Sequence, residues 1–150
     1  MSPGARIRAT SYITRTTPHG PQLLVFDYPA QSEAGTQLPG GGVEPGERPD
    51  AAAIREAIEE TGISGPLDLR GVVGVQQGTY DTGDPYISIY FHLSATEPRD
   101  TWTHIMIGDD TAWDTGLEVN CRFVPLTEAV PLLQTTWHRQ DEFLNLIDLR

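Results

Sequence analysis

The chain has 150 residues, of which 38% are apolar and 21% charged, a length and balance that suit one globular domain with one core, read here as 1–150. Its formal net charge of −11 argues against broad electrostatic binding of duplex nucleic acid or of an anionic membrane. A small phosphorylated substrate stays open, because one bound cation reverses the local sign. Cys121 is the only cysteine, which excludes an intrachain disulfide and fits a reducing compartment. Met1 to Thr10 lacks the apolar stretch of a leader, and no apolar run approaches the roughly 18 residues of a membrane span. A soluble, cytoplasmic chain is expected, as a monomer or homodimer.

In chain order, Ile7 to Thr14 reads as a strand and Gln22 to Tyr28 as a second, more apolar one. The turn chemistry of TTPHGP between them predicts a hairpin. Pro29 to Gly46 is rich in Gly, Pro and polar residues and reads as a long loop, a feature often functional inside a compact domain. Pro49 to Thr61 carries the strongest helix signals: Pro49 in the first turn, Asp50 where the helix dipole favours negative charge, and Gly62 placed for a left-handed cap. Leu67 to Thr79 and Tyr86 to Ala95 read as strands joined by the turn YDTGDP. Arg99 to Glu118 is polar and carries no clear element, and Cys121 to Val124 is a short strand. Thr127 is placed to cap a short helix over Glu128 to Leu133, with Pro131 inside it. Thr136 to Leu149 fits an amphipathic helix packing Trp137, Phe143, Leu144 and Ile147.

On a helical wheel the Pro49–Thr61 segment gathers Ala51, Ile54, Ala57 and Ile58 on one side and Glu56, Glu59 and Glu60 on the other. The apolar side is expected to pack on a sheet. The acidic side has two readings. Glutamate is a good helix former, so this can be a solvated face. Yet Glu56 and Glu60 are like charges at i, i+4, and no lysine on the helix offsets them. A divalent cation between the carboxylates removes that cost, since hard cations such as magnesium prefer oxygen ligands and also touch substrate phosphates. Gly40, Gly41 and Gly42, stiffened by Pro39, let backbone come close to a ligand.

The spacing carries more information than either part. Gly41, five residues, Glu47, seven residues, then Arg55-Glu56-Ala57-Ile58-Glu59-Glu60-Thr61-Gly62-Ile63 resembles the Nudix box, and Leu38-Pro39-Gly40 resembles its usual lead-in. Two positions depart softly: Ala57 is smaller than the common aliphatic, and Arg48 stands where the family often has a serine helix cap. The resemblance implies an α/β fold, a Nudix-like α/β/α sandwich with a mixed β-sheet. It implies a hydrolase that cleaves the pyrophosphate of a nucleoside diphosphate linked to another moiety, with Mg2+ or Mn2+ as cofactor. House-cleaning and diadenosine polyphosphate activities belong to that class.

By the same resemblance Glu56, Glu59 and Glu60 form the metal and water-activating cluster, with Glu56 favoured as general base and an acid from a later loop as the alternative, and the Gly40 carbonyl adds a metal ligand. Gly41 lies against the substrate, Glu47 stands behind the cluster, and Arg55 orients a glutamate. Asp81, Asp84, Glu97, Asp100, Asp109, Asp110, Asp114 and Glu118 are candidates for a further metal ligand, each equally readable as a solvated loop carboxylate. Glu118 is preferred because it precedes a strand that returns to the core. Tyr80, seventeen residues after Ile63, resembles a substrate-contacting tyrosine of members acting on diadenosine polyphosphates, and reads also as strand-end packing. Trp102 and His104 read as base-stacking groups or as a partly buried cluster. No signature of a coenzyme A or NADH substrate is apparent. A nucleotide-binding sensor of the same fold without turnover is the competing function.

Overall fold

The computed structural model describes residues 4–108, 115–136 and 139–147. Seven strands form one mixed sheet: β1 (Arg6–Thr17), β2 (Gly20–Asp27), β3 (Gly40–Gly42), β4 (Leu67–Thr79), β5 (Pro85–Ala95), β6 (Thr101–Ile105) and β7 (Glu118–Pro125). Their order is β4-β5-β1-β2-β7-β6, with β3 paired to β1 off this path. Only β1 and β5 run parallel; the other pairings are antiparallel. The expected TTPHGP hairpin is the β1–β2 turn, and YDTGDP closes β4 on β5.

Side chains alternate across a strand, so each central strand feeds both faces of the sheet. On β2, Leu24 and Phe26 point to one face, where Ile13, Ala57, Ile63 and Val119 join them. Leu23 and Val25 point to the other, with Tyr12, Tyr90, Ala129, Leu133 and Leu144. The first face carries α1 (Pro49–Thr61); the second carries α2 (Leu126–Leu133) and the C-terminal segment. This is the α/β/α sandwich. Leu23, Leu24 and Val25 are each fully buried, a contribution of roughly 2 kcal/mol apiece from apolar area alone.

Five expectations need correction. Of the expected packing face, Ile54 and Ala57 do pack on the core, while Ala51 is exposed and Ile58 is 48% exposed; Ala52 and Ala53 take their place. Ala52 and Ala53 lie against Ala9 and Phe91, and the alanine-to-alanine contact lets the helix lie close to β1. Glu60 is buried on this same side, so the carboxylates are not opposite the packed face. The long loop from Pro29 contains β3 and a short 3-10 turn, Ser32–Ala34. The unassigned stretch contains β6, an edge strand that alternates exposed and half-buried residues. Thr127 lies inside α2, whose flanking residue is Pro125.

The C-terminal segment is not the expected helix over Thr136–Leu149. Its described residues form successive turns and a 3-10 turn, Leu144–Leu146. Arg139 has φ of 51°, a left-handed conformation that interrupts i→i+4 bonding. Local three-residue turns bond much of the backbone, and two distant contacts fix the segment to the sheet. The Tyr12 hydroxyl donates to the Gln140 carbonyl at 2.5 Å, and the Leu38 N–H donates to the Gln140 side chain at 2.9 Å. Phe143 and Leu144 pack as expected; Trp137 lies outside the described residues.

Gly62 ends α1 at φ 64°, ψ 23°, its N–H donating to the Ile58 carbonyl. A β-carbon there would come within 2.4 Å of His104 Nδ1. Gly62→Ala is therefore expected to destabilise the fold by at least ~1 kcal/mol, from left-handed strain and displacement of the imidazole. Urea unfolding measures this, and an unchanged midpoint with an unchanged slope would contradict the cap.

Candidate active site

The register of β3 decides what its glycines can touch. Ser11 N–H donates to the Pro39 carbonyl at 3.0 Å and Val43 N–H to the Ile7 carbonyl at 2.9 Å. In an antiparallel ladder, bonded positions alternate, so Gly41 bonds to Ala9, and Gly40 and Gly42 turn their main-chain groups away from β1. Those groups meet α1. Gly40 N–H donates to Glu60 Oε1 at 2.6 Å, and the Gly42 carbonyl accepts from Arg55 Nη2 at 3.0 Å. A β-carbon at Gly41 would sit 2.4 to 2.6 Å from the Glu56 carboxyl atoms, so glycine there lets that carboxylate keep its position against the ribbon.

Arg55 organises the rest. Its Nε and Nη2 fork onto Glu47 at 2.8 and 3.0 Å, and its Nη1 donates to Glu56 Oε1 at 2.9 Å and Glu59 Oε2 at 3.1 Å. The fork holds the Glu47 carboxyl down at about 2, well below the usual carboxylate range. Glu56 moves the other way: burial raises it and the neighbouring Glu59 charge adds to this, against the pull of Arg55 and Arg8. Arg48 does not cap the helix through its side chain; it forks onto Asp50, whose Oδ1 accepts the Ala51 N–H at 2.9 Å.

The other end of α1 is fastened by the residues read as base-stacking candidates. His104 Nε2 lies 2.9 Å from the Glu59 carbonyl, and Trp102 Nε1 donates to the Thr61 carbonyl at 2.5 Å. Ile107 N–H donates to the same Glu59 carbonyl at 3.0 Å, and Arg99 to the Gly62 carbonyl at 3.1 Å. These groups satisfy the last carbonyls of the helix, which otherwise lack partners. Trp102 and His104 thus fix the carboxylate helix against β6.

The structure brings Gly40, Gly41, Glu47, Arg55, Glu56, Glu59 and Glu60 to one place. Glu118 is exposed at the start of β7, opposite Ile105, and makes no hydrogen bond to the three glutamates among the described residues. Tyr80 stands apart, at the β4–β5 hairpin, its ring 4.8 Å from that of Tyr86. Asp81 and Asp84 share that hairpin. Glu97 is buried and locked by Ser64 and Arg99, and Asp100 pairs with Arg15. Asp109, Asp110 and Asp114 lie outside the described residues. No three such groups among the described residues already converge on one point that could hold a metal: Glu60 is turned to Gly40, and Arg55 stands between Glu56 and Glu59. Nothing in the motif marks Arg6 and Arg8, yet Arg8 acts electrostatically on Glu56, and Arg6 lies against Gly42.

A carboxyl held below its ordinary value stabilises the fold above the unfolded-state pKa and loses that contribution as pH falls through the folded one. For Glu47 the window runs from the ordinary 4.5 down to about 2. Stability should therefore fall across this window in the wild type, and Glu47→Gln should fall less steeply. Urea titrations at stepped pH check this; parallel curves would remove Glu47 as a folded-state partner of Arg55.

Comparison with known proteins bears on the whole chain. The NUDIX domain family matches residues 6–147. Diphosphoinositol polyphosphate phosphohydrolase 3-alpha of Mus musculus is 38% identical over 77 residues, covering 51% of this chain and 44% of that protein. Diphosphoinositol polyphosphate phosphohydrolase 2 of Homo sapiens is 34% identical over 114 residues, covering 73% of this chain and 58% of that protein. The chain thus spans about half the length of these curated relatives. Among solved structures, the Ap4A hydrolase binary complex of C. elegans superposes with a TM-score of 0.69 at 19% identity, covering 94% of this chain and 93% of that one. The MutT protein of Methanosarcina mazei Go1 does so at 0.62 and 20% identity, covering 97% and 94%. At those identities the structures speak for the fold, and the family match over nearly the full length speaks for descent: the chain belongs to the Nudix family.

Proposed function

We propose that the chain is a divalent-cation-dependent pyrophosphohydrolase acting on a nucleoside diphosphate linked to a second moiety. The observation that carries this reading is the gathering of three carboxylates beside a glycine ribbon, Glu56 and Glu59 by the Arg55 guanidinium and Glu60 by the Gly40 N–H. Arg55 Nη1 lies 2.9 and 3.1 Å from one oxygen each of Glu56 and Glu59, so one small cation can span both. The donors are all oxygens, which suits Mg2+ or Mn2+. The missing β-carbon of Gly41 lets the Glu56 carboxyl lie directly against the ribbon backbone. Glu56, Glu59, Glu60 and the Gly40 carbonyl would hold the ion, with Glu118 as a further ligand.

The bound cation supplies positive charge against the negative charge that builds on the phosphoryl oxygens. The chain supplies the rest. Glu56 Oε1 is held by Arg55, which leaves Oε2 to take the proton of the attacking water, and burial makes that carboxylate a better proton acceptor than an exposed one. Arg55 keeps Glu56 and Glu59 in fixed orientation, and Glu47 fixes Arg55. Gly41 lets the pyrophosphate lie along the β3 ribbon, and Tyr80 contacts the part of the substrate beyond it.

A panel of nucleoside diphosphate derivatives with Mg2+ or Mn2+, read as phosphate released after coupling to a phosphatase, tests the proposal. Turnover is expected with at least one member. Glu59→Gln and Glu60→Gln, each still folded by circular dichroism, are expected to lower it by about a hundredfold or more. Full metal-dependent activity in both variants would remove their assigned roles. Binding of panel members without any turnover would leave the sensor reading in place.

A further inference from the structure

The glycine ribbon has a weak point just before Gly40. In an antiparallel ladder a bonded pair exchanges two bonds, and the Ser11–Pro39 pair has only one of them. Ser11 N–H donates to the Pro39 carbonyl at 3.0 Å, but proline has no N–H to return. The residue before it supplies another anchor. Main-chain groups alternate from side to side along an extended chain, so Leu38, like Gly40, turns its N–H away from β1. That N–H is received by Gln140 Oε1 at 2.9 Å, 102 residues further along the chain. Leu38 is 2% exposed, so solvent is a poor substitute for the amide.

Gln140 is itself firmly mounted. It is 3% exposed, its N–H donates to Thr136 Oγ1 at 2.9 Å, and its carbonyl accepts from the Tyr12 hydroxyl at 2.5 Å. The same hydroxyl accepts from the Phe143 N–H at 3.2 Å. Phe143 fills the space beside Gly74, where a β-carbon would lie 2.5 Å from its ring, and meets Tyr90 edge-on with centroids 5.2 Å apart. Gln76 Nε2 donates to Glu142 Oε2 at 2.6 Å. The C-terminal segment is thus fastened to β4, β5 and β1 around the glutamine that reaches Leu38. A buried amide aimed at one N–H has a directional use that apolar packing lacks. The ribbon is therefore gripped from both faces of the sheet. Glu60 and Arg55 of α1 take Gly40 and Gly42 from one face, and Gln140 takes Leu38 from the other.

We propose that Gln140 is a positioning residue for the glycine ribbon. Its bond to Leu38 sets where Gly40 presents its N–H to Glu60 and its carbonyl to the site, which makes the C-terminal segment part of the frame of the carboxylate cluster. This rests on the pyrophosphohydrolase reading only in taking Gly40 and Glu60 as holders of the cation. Amide hydrogen exchange, with Mn2+ binding followed by electron paramagnetic resonance, tests it without turnover. In Gln140→Leu, exchange at Leu38 and Gly40 is expected to quicken by about tenfold or more relative to Ser11 and Val43, whose N–H groups bond across the β1–β3 ladder. Mn2+ affinity should fall by about tenfold or more in the same variant. Gln140→Asn, one methylene too short to reach, should behave alike, and Gln140→Glu, which keeps an acceptor at the same reach, should restore both readings. Phe143→Leu loosens the segment through packing alone and should lower Tm with Mn2+ affinity unchanged. Exchange at Gly40 and Mn2+ affinity that stay at wild-type values in Gln140→Leu, or that track Tm equally in Phe143→Leu, would overturn the proposal. A wild type that binds no Mn2+ would sink the cation reading alone, and exchange at Gly40 would still decide the role of Gln140.

Discussion

The site depends on one side chain. Arg55 uses its guanidinium on two strands of the problem at once: it forks onto Glu47, reaches Glu56 and Glu59 with the remaining nitrogen, and donates to the Gly42 carbonyl. Without it, Glu47, Glu56, Glu59 and Glu60 would stand close together in a chain of net charge −11, with like-charge repulsion along the helix and across to the loop. Lysine could not replace it. An ammonium has three donors and no planar fork, whereas the guanidinium matches a carboxylate with two parallel bonds and keeps donors for others. The same group therefore neutralises the cluster and ties the helix to the glycine ribbon.

The rest of the fold makes that contact possible. Ala52, Ala53 and Ala57 let α1 approach β1 closely, and closeness is what brings Glu56 onto Gly41 and Glu60 onto Gly40. A larger residue at those three positions would lift the helix and separate the carboxylates from the ribbon. The far end of α1 is held independently, through the Glu59 and Thr61 carbonyls, by His104, Ile107 and Trp102. β6 is an edge strand, so these bonds also tie the sheet's outer strand to the helix that carries the site.

What could be read in the sequence was whatever is fixed by local spacing. The glycine-to-glutamate spacing, the helix with Pro49 and Gly62, and the central strands are all local signals, and the structure contains those elements at those places. The packed face of α1 is only half legible: hydrophobicity points to Ile54 and Ile58, while the close contact with β1 selects Ala52 and Ala53 and leaves Ile58 outside. The C-terminal segment has helical periodicity, yet the Gln140 carbonyl and the Phe143 N–H both bond to the Tyr12 hydroxyl, more than a hundred residues away. Arg6 and Arg8 show the same limit. Their spacing of two places them on one face of a strand, but that this face borders Gly42 and Tyr86 is a fact of strand pairing. Glu118 was chosen for its position before a strand, and proximity to the glutamates does not follow from that.

The central claim is that Arg55 and its carboxylates act as one unit, so its most direct test is their coupling. A double-mutant cycle of Arg55→Ala and Glu47→Ala, followed by urea unfolding at neutral pH, isolates the pair from the separate effects of each truncation. The two-bonded, partly buried geometry predicts a coupling energy of about 1–3 kcal/mol. A coupling within about 0.3 kcal/mol of zero would contradict the account, because Arg55 would then be only one more surface cation beside an acidic helix.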